Sequence, residues 1–234
     1  MLDLFGKAIL DFHTNNAPEN LLTETNISDQ DEMSIDYLFR TFTQMPKIEQ
    51  KALELSFGKV LDVGCGAGSH SLYLQNELAL DILSIDISKN AIKACQLRGL
   101  KNVKVQNVLD LDFNSKKFDT ILLLMNGTGI FGTLAETPKY LQQLKSLLNE
   151  NGQILIDSSD LIYMYDDDDL LEIKNSNNYY GELIFFIQYK QEKELPFNWL
   201  YLDFDLLKKM ANENGLQCQK IIAGDNYDYL ARLF

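Results

Sequence analysis

The sequence predicts an α/β protein in which a mostly parallel sheet carries helices on both faces and ends in an antiparallel hairpin. Three observations carry this. From residue 58 onward, apolar runs of strand length alternate with amphipathic helical stretches. Val60-Leu61-Asp62-Val63-Gly64-Cys65-Gly66-Ala67-Gly68 packs a buried strand, a glycine loop and a helix start into nine residues. Leu216 to Ala223 and Tyr227 to Phe234, joined by Gly224-Asp225-Asn226, have the composition of a closing hairpin.

Composition bounds the answer. The 234 residues, 46% hydrophobic, suffice for one sizeable core and fit one domain with additions. A net charge of −13 argues against a polyanionic partner, and basic residues cluster no further than pairs such as Lys208-Lys209. Nucleic acid is therefore disfavoured. Cys65, Cys95 and Cys218 are scattered and only two histidines exist, which indicates neither a disulfide framework nor a metal site. Apolar runs such as Ile121 to Met125 are too short to span a bilayer, and no targeting segment is visible, so a cytoplasmic protein is expected. Nothing fixes the oligomeric state.

Residues 1–57 read as a mostly helical extension before a main domain at 58–234. Ile48, Ala52 and Leu55 share a helical face, Pro46 suits a first turn and Gly58 closes the segment. Val60 to Val63 is then a buried strand, and the alternate glycines let the backbone come close to a ligand in front of a helix beginning at Ser69. A dinucleotide loop has the spacing G-x-G-x-x-G, whereas this one is D-x-G-x-G-x-G. It resembles motif I of the class I S-adenosylmethionine-dependent methyltransferases, with Asp62, Gly64, Gly66 and Gly68 at the matching positions.

Asp81 to Asp86 is a second strand ending in an acid some 20 residues past the glycines. A carboxylate there lies beside the ribose of a nucleotide bound over the first strand. Ser88 caps the next helix, in which Ala91, Ile92 and Cys95 share a face and which Gly99 ends. Val103 to Val108 is the third strand. Phe118 to Met125 is the fourth, uniformly apolar and central, and opens into Asn126-Gly127-Thr128-Gly129. Thr137-Pro138 starts a helix with Leu141, Leu144 and Leu148 on one face. Gln153 to Asp157 is the fifth strand, followed by a crevice loop at Ser158-Ser159-Asp160. The tyrosine-rich segment after it reads as irregular, with Asp166 to Asp169 a solvated loop. Gly181 to Lys190 is an added strand, and Asp203 caps a helix burying Leu207, Met210 and Ala211.

The resemblance implies a Rossmann-like, seven-stranded sheet with a reversed C-terminal strand, an N-terminal helical lid and a substrate-side insertion at about 158–200. Its motifs cover 58–157, and 203–234 match by pattern only. It implies S-adenosyl-L-methionine as cofactor, bound by Asp62, Gly64, Cys65, Gly66, Gly68 and His70, by Asp86 and Ile87, and by Asn107, Val108, Met125 and Asn126. The adenine amine falls to Asn107 or Asp110, with Asn107 preferred for its nearness to the strand. Met33, Tyr37, Arg40, Gly127 and Asp160 are the acceptor-side candidates, although core packing is the stronger reading of the first three. Asn126 is followed by glycine instead of the two prolines and aromatic of the base-amine enzymes, which disfavours a nucleobase. The expected reaction is methyl transfer to a small molecule; a non-catalytic cofactor-binding protein, or action on RNA or protein, are the alternatives. The transfer needs little beyond alignment, and His70, Tyr37 and Asp160 are the available general bases, none assigned.

Overall fold

Strand length, helix caps and apolar stripes resolve into two sheets. The computed structural model describes residues 2–112, 117–176 and 178–234. In chain order the helices and strands are α1 (Leu4–Thr14), β1 (Leu21–Thr25), β2 (Ser28–Met33), α2 (Lys47–Leu55), β3 (Lys59–Val63), α3 (Ser69–Asn76), β4 (Asp81–Asp86), α4 (Lys89–Leu97) and β5 (Val103–Val105). They continue with β6 (Phe118–Leu123), α5 (Thr137–Ser146), β7 (Leu148–Ser159), α6 (Asp167–Asn175), β8 (Glu182–Tyr189), β9 (Glu192–Lys193), β10 (Phe197–Leu200), α7 (Phe204–Glu213), β11 (Cys218–Ala223) and β12 (Asp228–Leu233).

The main sheet has seven strands in the order β11-β12-β7-β6-β3-β4-β5. β3, β4, β5, β6 and β7 run parallel, and β12 enters antiparallel between β7 and β11. This is the Rossmann-like sheet with a reversed hairpin strand. The chain winds from β3 outward to β5 and then returns to β6 on the other side of β3, which leaves a crevice at the carboxyl ends of β3 and β6. One face buries Leu61, Leu83, Ile121 and Ile154 beneath α5 and α7; the other buries Val60, Ile82, Leu122 and Leu155 beneath α2 and α3. Successive strand residues point to opposite faces, so a strand covered on both sides must be apolar throughout. The caps form where the sequence places them. The Ser88 hydroxyl accepts from Ala91 N at 2.9 Å, and the Asp203 carboxylate from Leu206 N at 2.9 Å.

The N-terminal segment differs from the helical expectation. Beside α1, α2 and short 3-10 turns at Ile35–Phe39 and Phe42–Gln44, it holds the hairpin β1–β2. β1 pairs with β8, so a second antiparallel sheet, β10-β8-β1-β2 with β9 beside β8, is shared by the N-terminus and the later insertion. The insertion strand expected at Gly181 to Lys190 is β8. Residues 21–33 carry few apolar side chains, and it is the pairing partner rather than intrinsic preference that makes them strands. α1, Leu21, Ile35, Leu38 and Tyr189 pack with Ala67 of the glycine loop and with Ala91 and Ala94 of α4. The extension is therefore seated against the glycine loop and α4.

Smaller differences have local causes. Val103 to Val108 shortens to β5 because the Asn107 side chain caps a 3-10 turn at Val108–Asp110. Leu148 begins β7 instead of ending α5. Asp167 to Asp169 form the first turn of α6, where carboxylates suit the positive end of the helix, and are not a loop. Among the described residues no group of three acids, histidines or cysteines is arranged to hold a metal.

Candidate active site

The glycine loop caps the carboxyl end of β3 and leans on β4. Gly64 N and Cys65 N both donate to the Ile85 carbonyl, at 2.9 and 3.0 Å. Gly64, Gly66 and Gly68 have φ of 72°, 52° and 80°, conformations that a side chain would strain. A Cβ added to Gly66 would meet no atom within 4 Å, so the space above it is open. At Gly68 it would strike Leu100 and Cys95, which makes that glycine a packing requirement. Asp86 ends β4 against the loop. One of its oxygens accepts from Gly66 N at 2.9 Å and the other from Ser88 N at 2.8 Å. Burial raises its carboxyl above the usual range although both amides favour the charged form. An open glycine turn beside an inward carboxylate has room and acceptor oxygens for a ribose, so the residues present fit a nucleoside cofactor.

The structure sorts the other expected cofactor residues. Asp62 lies beneath the loop, where it accepts from Ser71 Oγ at 2.6 Å, and Ser71 continues to Ser84 at 2.6 Å. It braces the start of α3, and burial raises its carboxyl above the usual range. Cys65 is buried, its sulfur 3.9 Å from that of Cys95. Ile87 follows Asp86 with 61% of its surface exposed, a bare apolar side chain at the sheet rim. Val108 is buried in the core instead. Asn107 Oδ1 accepts from Leu109 N at 2.9 Å, and the second lone pair of that oxygen is the acceptor it has left for a ligand amine. Asp110 is exposed in the same turn.

Beyond β6 the backbone turns sharply. Met125 and Asn126 both have positive φ, 66° and 60°, which is costly outside glycine and needs an external brace. Asp157, at the end of β7, supplies it by accepting from Met125 N at 3.0 Å and Gly127 N at 2.8 Å. Burial outweighs these bonds and pushes its carboxyl up to about 6. The Asn126 side chain is taken up by Ser158 Oγ at 3.0 Å and the Leu200 carbonyl at 3.4 Å. Gly127 was expected at the acceptor. Its α-carbon instead faces Leu123 and Ile156, so close packing is what demands glycine there.

Of the acceptor-side candidates, the structure brings Tyr37 and Arg40 together and leaves Asp160 apart from them. Tyr37, 45% exposed, has Arg40 stacked 4.0 Å over its ring, and burial with the carboxylates of Glu49, Asp157 and Asp228 raises its phenol. Arg40 is buried and bound by Glu49, whose carboxylate also meets His70 Nε2 at 2.5 Å. Burial alone would raise Glu49, but His70 and Arg40 hold it below the usual range. Met33 packs with the N-terminal cluster. Asp160 accepts from Tyr180 OH at 2.9 Å and lies at a cavity of about 250 Å³ beside Asp228 and Lys220, at the β11–β12 edge rather than over the glycine loop. Neither His70 nor Asp160 is a free base.

Three site residues escaped the sequence. Glu49 has one signal, an acid inside the apolar stripe of α2. Asp157 ends an expected strand, but nothing local announces that it holds the β6 loop. Arg98 donates to the Ala67 carbonyl and to Ser69 Oγ, with its guanidinium 4.6 Å over Phe39, a contact that only the tertiary fold creates.

Comparisons agree with this geometry. A family model described as a methyltransferase domain matches residues 56–216. A methyltransferase of Bacteroides fragilis, solved with S-adenosyl-L-homocysteine, is 42% identical with a TM-score of 0.90, covering 99% of this chain and 94% of that one. The CcbJ methyltransferase of Streptomyces caelestis shares the fold at 14% identity and a TM-score of 0.60, over 81% of this chain and 89% of that one. A chloroplastic tocopherol O-methyltransferase of Arabidopsis thaliana is 28% identical over 110 residues, 44% of this chain. The chain spans 30% of the length of that relative. With a matching domain model over most of its length and the glycine loop, Asp86 and reversed hairpin in place, the chain belongs to the class I S-adenosylmethionine-dependent methyltransferase family.

Proposed function

We propose that the protein transfers the methyl group of S-adenosylmethionine to a small-molecule acceptor, and that it does so in the cytoplasm. The observation that carries the reading is the open glycine turn held against Asp86. When bound, the cofactor supplies an electrophilic methyl together with its own leaving group. The chain's part is alignment and exclusion of water. Gly66 and its neighbours would admit the cofactor closely, Asp86 would accept from the ribose hydroxyls, Ile87 would line the adenine side and Asn107 Oδ1 would accept from the adenine amine. Met125, on the braced turn, flanks the methionine end.

Met33, Tyr37 and Arg40 form the acceptor wall in this reading, while Asp160 stands at the β11–β12 edge. Tyr37, with its phenol pushed up, stays protonated at neutral pH and orients the acceptor by donating a hydrogen bond. A small acceptor suits a glycine loop against which residues of the second sheet pack, and the plant relative is a tocopherol O-methyltransferase. A charge of −13 disfavours RNA. The free state of Cys65, Cys95 and Cys218 is in keeping with a reducing compartment.

Thermal unfolding with ligands tests the cofactor. At 100 times its dissociation constant, S-adenosylhomocysteine should add about 2.7 kcal/mol of stability, while nicotinamide dinucleotides add nothing. No shift, or an equal shift with a dinucleotide, overturns the assignment. Methyl release into a metabolite mixture then tests the acceptor class, and turnover confined to RNA or protein would refute it.

A further inference from the structure

Glu49 lies on α2, outside the glycine loop and outside the acceptor wall, yet its carboxylate touches His70, just behind the loop, and Arg40 of the wall. One oxygen is 2.5 Å from His70 Nε2, and both oxygens accept from Arg40. The side chains are 4% exposed at Glu49, 5% at Arg40 and 10% at His70. Removing one partner from such a buried set leaves a desolvated charge, so the three side chains move together or not at all. Arg40 has no other ion-pair partner among the described residues, and its Nε makes no hydrogen bond. Glu49 is thus what fixes the guanidinium.

Each end of this link leads to one side of the reaction. His70 is in the first turn of α3, directly behind Gly68 and Ser69. Arg40 stacks on the Tyr37 ring and donates to the Tyr37 carbonyl at 2.5 Å. A parallel tie supports the same junction, because Ser69 Oγ donates to the Leu38 carbonyl at 2.7 Å. Segment 37–40 is therefore fastened to the residues that follow the glycine loop.

We propose that Glu49 is a positioning residue for methyl transfer, coupling the glycine loop to Tyr37 so that cofactor occupancy orders the acceptor-side wall. This rests on the reading of the loop as the S-adenosylmethionine site. Coupling of this kind is reciprocal: whatever cofactor binding gains from the ordered wall, acceptor binding gains from the filled loop.

Hydrogen exchange of the full chain, with and without saturating S-adenosylhomocysteine, tests it without knowledge of the acceptor. In the wild type the ligand should slow exchange over both 64–70 and 35–40. Glu49→Gln keeps the size and removes the charge; it should retain protection of 64–68 while protection of 35–40 falls by about tenfold, within the ordinary range of coupling. Arg40→Met cuts the next link and should uncouple the segments in the same way, which decides the matter if Glu49→Gln does not fold. Glu49→Asp should restore part of the protection. A merely structural Glu49 would lower the melting temperature without separating the two segments. Protection of 35–40 that survives in the folded variants, or that is missing in the wild type while 64–68 is protected, overturns the coupling. Absence of protection at both segments in the wild type instead overturns the cofactor reading.

Discussion

Asp86 shows how a residue can have the expected place and an additional duty. The sequence assigns it to the ribose from its position at a strand end, and the structure adds that its two oxygens already hold the amides of Gly66 and Ser88. Asp86→Ala should weaken S-adenosylhomocysteine by about 1.5 to 3 kcal/mol, the scale of two charge-assisted bonds. It should also cost the free protein about 1 kcal/mol, because two backbone donors lose their acceptor. Calorimetric titration with the natural ligand and a 2′,3′-dideoxy analogue separates these effects. Additive losses for variant and analogue would place Asp86 away from the ribose. At Gly66 the positive φ means that any side chain strains the loop as well as filling the site, so a bulky substitution there cannot report on binding alone.

At the level of elements, what could be read in advance is what depends on local pattern. Strands β3, β4, β6 and β7, the helices capped by Ser88 and Asp203, and the terminal hairpin follow from runs, caps and turns within a few residues of each other. The second sheet does not, because β1 and β2 are polar and become strands through β8. The same limit applies to the site. Glycine spacing exposes Gly64 to Gly68 and Asp86, whereas the link from Tyr37 through Arg40 and Glu49 to His70 exists only after α2 is folded against α3. Trp199 shows what the second sheet does for the first. Its ring lies where a Cβ on Gly129 would be and packs with Phe185 and Phe197, so it seats β10 on the turn after β6. Trp199→Ala should destabilise the protein by about 2 kcal/mol in denaturant unfolding. A loss near zero would mean that the two sheets are held together elsewhere.

For the molecule as a whole, buried acids set how stability depends on pH. Asp157, raised to about 6, contributes stability that is fully present below the ordinary carboxylate value and is lost as pH rises through 6. Glu49, held low, acts in the opposite sense and loses its contribution only as pH falls through its depressed value. Asp157→Asn removes the first effect alone. The stability gap between wild type and variant should therefore narrow by about 2 kcal/mol between about pH 4.5 and 7, measured by denaturant unfolding. A gap independent of pH would mean that Asp157 ionises normally. The shared second sheet has a different consequence, one that belongs to synthesis. Asn26, in the β1–β2 turn, accepts a hydrogen bond from the Ile184 amide, 158 positions away. At ordinary elongation rates the hairpin leaves the ribosome roughly ten to thirty seconds before its partner strand. During that interval it presents an unpaired edge, the situation in which nascent chains stick to one another. Glu24, Asp29, Asp31 and Glu32 give this short hairpin a density of negative charge, and charged side chains on a strand edge oppose such pairing.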